Sequence, residues 1–133
     1  MKISASRHPS HASVAILHLD GQLDSSNYRE FVSWARELFA GGARDLLIDL
    51  RKLDFMSSSG LVALHSVARL FGGLDEAPET YRSIDPAVDR GIPNHVKLLG
   101  PQMGVAHVLE VAGLQKFFQV FDDLESALKS FPS

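Results

Sequence analysis

Residues 46–50, Leu-Leu-Ile-Asp-Leu, are an apolar run broken by one carboxylate, set between two segments whose apolar residues recur on a helical period. Such a run suits a strand covered on both faces. Helices at crossover distance on either side call for parallel neighbours and right-handed connections. On the upstream side Tyr28, Phe31, Val32, Ala35, Leu38 and Phe39 fall at i, i+3, i+4, i+7, i+10 and i+11. That spacing predicts a helix with one apolar stripe. Asn27 with Glu30 predicts a capping box, and Gly41-Gly42 predicts the stop. On the downstream side Leu61, Leu64, Ala68 and Phe71 predict a second helix, with serines at its start and Gly72-Gly73 at its end.

The remaining elements follow the same alternation. Residues 14–19 predict a strand closed by the turn dipeptide Asp20-Gly21, and residues 2–6 an earlier strand paired with it as a hairpin. Residues 96–99 predict a strand and Pro101 the first turn of a helix. Val105, Val108, Leu109 and Ala112 form that helix's stripe, which ends before Gly113. Residues 117–121 predict a short strand, and Asp122 with Glu125 caps a last helix carrying Leu124, Ala127, Leu128 and Phe131. The expectation is one α/β domain over residues 1–133: a single mixed β-sheet of about four to five strands with about four helices.

One stretch departs from this pattern. Residues 74–94 hold Pro78, Pro86 and Pro93 and no sustained period, so they read as a long loop, with one helical turn from Asp85-Pro86 stopped by Gly91. The loop also carries the charge. Of 16 acids and 13 bases in the chain, it holds Asp75, Glu76, Glu79, Asp85 and Asp89 against Arg82 and Arg90. That leaves 11 of each elsewhere, so the net charge of −3 belongs to this acidic insertion.

Composition excludes several chemistries. With no cysteine, the chain has no disulfide, thiol nucleophile or thiolate metal site. Its bases never cluster beyond Arg51-Lys52, so neither nucleic acid nor an anionic membrane is an expected partner. No run of about 18 apolar residues and no N-terminal apolar core occur, so the expectation is a cytoplasmic protein with no membrane insertion. The six histidines are scattered and predict no metal site, and no nucleotide-binding or zinc-protease motif is present. No cofactor and no enzymatic activity are expected. A serine hydrolase built on Ser58 would need a nucleophile elbow that the sequence lacks. Asp49, inside the apolar strand, calls for a hydrogen-bonded carboxylate.

The candidate site is Ser57-Ser58-Ser59-Gly60, between the buried strand and the second helix. One serine there suffices to accept a backbone N–H as a cap. A hydroxyl at a helix N-terminus also tolerates phosphorylation, because about −1.5 to −2 of added charge meets free N–H groups and the positive end of the helix dipole. Burying that dianion unpaired against a partner would cost several kcal/mol. The serines therefore serve either as a cap or as a binding switch.

Residues 47–50 and 53–61, LIDL and LDFMSSSGL, resemble the signature of STAS domains, the sulfate-transporter and anti-sigma-factor-antagonist family. Residues 19–24, LDGQLD, are similar to that family's approach to its first helix, and residues 105–128 to its C-terminal tail. The resemblance implies a regulatory protein of the anti-sigma factor antagonist type. When unphosphorylated, it would bind an anti-sigma factor that is a GHKL-type serine kinase. Phosphorylation of a serine at the start of the second helix would release it, and a PP2C-type phosphatase would restore it. The acceptor falls on Ser58, with Ser57 and Ser59 as lesser candidates. Asp24, Met56, Ser57, Ser58, Ser59, Gly60, Leu61 and Val62 fall on the docking surface. Ser57 stands where the family's best-known antagonists carry Asp. The alternative within the family is a scaffold subunit of a lipid-transport or stressosome-like assembly that is not phosphorylated.

Overall fold

The computed structural model describes residues 1–72, 95–114 and 117–131. The 74–94 loop and its helical turn lie outside the described residues. The strands are β1 (Lys2–His8), β2 (His11–Leu23), β3 (Asp45–Met56), β4 (Val96–Leu99) and β5 (Val120–Phe121). The helices are α1 (Tyr28–Ala40), α2 (Ser58–Phe71), α3 (Met103–Val111) and α4 (Leu124–Lys129). The strands form one mixed sheet in the order β1-β2-β3-β4-β5. β1 and β2 are an antiparallel hairpin, and every later pairing is parallel. The α/β expectation holds.

The larger core lies between one sheet face and the helices α1 and α2. Ala15, Leu17 and Leu19 of β2 and Leu46, Ile48 and Leu50 of β3 meet Phe31, Ala35, Leu61, Leu64 and Phe71 there. α2 is buried well beyond a single stripe, because it packs against α1 as well as the sheet. On the opposite face a smaller cluster joins Val14, Ile16, Leu47 and Leu99 to Ala127, Leu128 and Phe131 of α4. Lys97 of β4 pins that helix: its Nζ donates to the Ser130 carbonyl at 2.9 Å and lies 4.6 Å from the Phe131 ring centroid. Burial lowers the Lys97 pKa, partly offset by the Asp45 charge.

Five local expectations are corrected. Asp20-Gly21 is inside β2, not a turn: pairing with β1 and β3 on both sides overrides the dipeptide's turn preference, and Gly21, at φ +116°, sits at register shifts in the β2–β3 ladder. No capping box forms at α1. The Asn27 Oδ1 accepts from the Asp24 N–H at 2.9 Å and its Nδ2 donates to the Gln22 carbonyl at 2.8 Å, so the side chain ties the strand end down instead. Pro101 precedes α3, whose N-cap is Gln102. The 117–121 strand shrinks to Val120–Phe121, with Phe117 and Phe118 in a turn that packs the Phe118 ring into the main core. The cap of α4 is Asp123, which accepts from Ser126 N–H at 2.8 Å, not Asp122.

Candidate functional site

β2 and β3 run parallel and end side by side, with Leu23 opposite Met56. Both chain reversals into helices therefore sit on one edge of the molecule. The Ser57 N–H donates to the Leu23 carbonyl at 2.9 Å, which places Ser57 against the Asp24 turn. Asp24 is itself held: its carboxylate accepts from the hydroxyl and the N–H of Ser26, and these bonds lower its pKa. Its carbonyl accepts from the N–H of Asn27 at 3.2 Å and Tyr28 at 3.0 Å. The loop that presents Asp24 is thus fixed by its own backbone.

The three serines have different environments. Ser57 is the N-cap of α2 by backbone geometry, yet its side chain makes no capping bond, and its Oγ is buried without a hydrogen-bond partner. The expected hydroxyl cap is absent at this residue. Ser58, the first residue of the helix, is exposed, and Ser59 is half-buried. The first turn of α2 contains no acidic residue of its own to offset its positive end.

Met56, Gly60, Leu61 and Val62 lie beneath this surface rather than on it. A Cβ on Gly60 would stand 2.7 Å from Met56 Cγ and 3.1 Å from Leu23 Cγ. Glycine therefore lets the helix start press directly on the two strand ends, and these buried residues set the position of Ser58. Sequence reasoning missed Phe55, 48% exposed one residue from the buried Met56. It also missed Gln102, whose Nε2 donates to the Arg51 carbonyl at 3.0 Å and approaches Asp54 Oδ1 at 3.4 Å, bringing the start of α3 to the same edge. The signal available for Phe55 was an aromatic side chain just before the serines. Nothing in the sequence marked Gln102.

His8 and His11 face each other across the β1–β2 hairpin with ring centroids 6.0 Å apart, and the other histidines are dispersed. His65 meets the Phe117 ring edge-on at 6.2 Å between centroids, and His107 is exposed. No group of three or more metal-ligating side chains occurs among the described residues. Likewise, no helix among them is long and apolar enough to cross a membrane.

The STAS domain family model matches residues 3–74, just over half the chain. The protein belongs to the STAS domain family. TM1081 of Thermotoga maritima, a proposed anti-sigma factor antagonist, has the same fold, with a TM-score of 0.72 at 16% identity over 96% of this chain and 92% of its own. An anti-sigma factor antagonist from Mycobacterium paratuberculosis aligns at a TM-score of 0.71 and 19% identity, covering 97% and 92%. SpoIIAA, a Bacillus cell fate determinant, is similar in its phosphorylated form at a TM-score of 0.61 and 18% identity, covering 96% and 97%. No curated protein sequence matches this one. The STAS match ends at residue 74, where the acidic stretch begins.

Proposed function

We propose that this protein is an anti-sigma factor antagonist working by partner switching, with Ser58 as the phosphoacceptor. Unphosphorylated, it binds an anti-sigma factor of the GHKL serine-kinase type through the edge formed by Asp24, Ser57, Ser58 and Ser59. The buried Met56, Gly60, Leu61 and Val62 hold that edge in shape. Kinase transfer to Ser58 ends the complex, and a PP2C-type phosphatase restores it. The protein itself needs no cofactor and performs no catalysis in this cycle. The whole chain acts as one STAS domain, and the 74–94 segment is an acidic insertion in it.

The contrast between Ser57 and Ser58 carries this reading. A kinase needs a hydroxyl it can reach, and Ser58 is exposed while the Ser57 Oγ is enclosed. A phosphate on Ser58 meets the N-terminus of α2, whose first turn carries no acid, and is favoured there by about 0.3–1 kcal/mol. The switch therefore acts on the surface and leaves the fold intact. SpoIIAA, a protein of the same fold solved in a phosphorylated form, is consistent with that mode of regulation.

Incubation with the kinase and ATP, followed by mass spectrometry, should place one phosphate on Ser58. Phosphate at none of the three serines would end the switch reading. Ser58→Asp should weaken the kinase complex at least tenfold with the melting temperature nearly unchanged, whereas Ser58→Ala should still bind. Equal loss in both variants would make Ser58 a contact and not a switch. Co-purification with a transporter or scaffold assembly in place of a kinase would favour the structural-subunit alternative.

A further inference from the structure

The sheet face away from α1 and α2 is covered by α4 at one end and open at the other. On the open part, three side chains from three adjacent strands form a line: Ser6 of β1, His18 of β2 and Asp49 of β3. Ser6 Oγ is 2.7 Å from His18 Nε2, and His18 Nδ1 is 2.8 Å from Asp49 Oδ2. Asp49 is buried. Burial by itself would raise its pKa, but hydrogen bonds from the Arg51 side chain, from His18 and from the Arg51 N–H outweigh this and hold it low. Arg51 grips both carboxylate oxygens, Nε to Oδ1 at 2.9 Å and Nη2 to Oδ2 at 3.0 Å.

These contacts fix the protons. An ionised carboxylate only accepts, so the His18 hydrogen sits on Nδ1 and is donated to Asp49. In the neutral ring, Nε2 then carries a lone pair and receives the Ser6 O–H. A hydroxyl donating to an imidazole that is oriented by a buried carboxylate is the arrangement that activates serine as a nucleophile, recognised by geometry and not by chain order.

We propose that Ser6, His18 and Asp49 form a nucleophilic relay in which Ser6 accepts an acyl group from a small ester. Ser6 Oγ bonds to the carbonyl carbon while its proton passes to His18 Nε2. The C–O bond to the leaving alcohol breaks, and the alcohol takes that proton. Water, deprotonated by the same nitrogen, later attacks the Ser6 ester; the acyl bond to Ser6 Oγ breaks, that oxygen takes the proton back from His18, and the acid is freed. Beside His18 lies a cavity of about 930 Å³, bordered by Lys2, Ser4, Asp20, Arg51 and Lys52. Arg51 is engaged by Asp49 and Asp20 adds a second carboxylate, so Lys2 and Lys52 are the cations that suit esters whose acyl part carries a carboxylate or phosphate. β1 is an edge strand, so its outward N–H groups have no strand partner. This is a shallow arrangement and implies slow turnover. The relay stands on the opposite sheet face from α2 and is independent of the partner-switching reading.

The test is labelling of the intact protein with a fluorophosphonate, which loses fluoride to the attacking oxygen, read by peptide mass spectrometry. Ser4, two residues along the same strand and opposite His18 in the register, makes no hydrogen bond to its ring and is the internal reference. General-base help of about 10²-fold should place the label on Ser6 and leave Ser4 unmodified. Ser6→Ala should lose the label and His18→Gln should slow it at least tenfold. Equal labelling of Ser4 and Ser6, or an undiminished rate in a folded His18→Gln variant, overturns the proposal. Ser6→Cys gives a second route, because the chain has no other cysteine. Its thiol should react with iodoacetamide at neutral pH at least ten times faster than an unstructured peptide cysteine. A rate equal to that of the peptide also overturns it.

Discussion

The two faces of the sheet come from the same alternating strands but are finished differently. On one, the inward residues of β2 and β3 are Ala, Leu and Ile, closing with Met56 at the end of β3, and α1 and α2 pack over them together with Val105 and Leu109 of α3. On the other, the apolar residues Val14, Ile16 and Leu47 give way along the same strands to His18 and Asp49, where α4 no longer reaches. A six-residue helix covers only part of a sheet whose central strands run 13 and 12 residues. Where cover ends, the strands must present groups that water or one another can satisfy, and an ion-paired cluster takes the place of a core. One face is therefore held by dispersion and burial, the other partly by charge.

Perturbing each face should separate the two kinds of support. Phe31→Ala, on the covered face, should cost about 3–5 kcal/mol in urea denaturation, because a fully buried ring leaves a cavity. A cost below about 1 kcal/mol would show that the helices rest more loosely on the sheet than the packing implies. Gly60→Ala should cost about 1–3 kcal/mol, since the new methyl meets Met56 Cγ and Leu23 Cγ, and should weaken kinase binding by shifting the start of α2.

On the open face, Asp49→Asn should cost about 1–3 kcal/mol through weakened bonds to Arg51 and His18. The pH dependence has a definite sign. The Asp49 carboxyl is lowered in the folded protein, so its contribution is complete above the unfolded-chain value of about 3.9 and fades as pH falls through the lower folded value. Urea midpoints between pH 6 and 2 should therefore fall more steeply for the parent than for Asp49→Asn. Parallel curves would mean that the cluster adds nothing to stability. The smallest effect belongs to Ser57→Ala: with no capping bond to lose and a buried unpaired hydroxyl removed, the melting temperature should stay the same or rise slightly. A loss of more than about 1 kcal/mol would reveal a cap.

Much of the frame was legible because it depends on period and punctuation. The stripe from Tyr28 to Phe39 and the Gly41-Gly42 stop mark α1 closely, since three consecutive helical turns repeat the same signal. The apolar run at residues 46–50 marked β3 as central, but not its continuation to Met56. Arg51, Lys52 and Asp54 lack an apolar signal, and the stretch is strand because Lys52, Leu53, Phe55 and Met56 pair with β2. The same holds for Asp20-Gly21, a turn in isolation and a strand between two partners. Ser58 could be singled out from its place before an apolar helical stripe. That Ser57 is enclosed and Ser58 exposed depended on how closely Gly60 lets α2 approach Leu23 and Met56.

Local order thus determined which segments are helices and strands, and the alternation of types determined a largely parallel sheet, because both follow from near neighbours in the chain. Which hydroxyl is accessible, which strand register brings Ser6, His18 and Asp49 into line, and which face stays open were decided by tertiary structure. Those properties depend on distances between residues 12 and 31 positions apart, and periodicity within a segment carries no information about them.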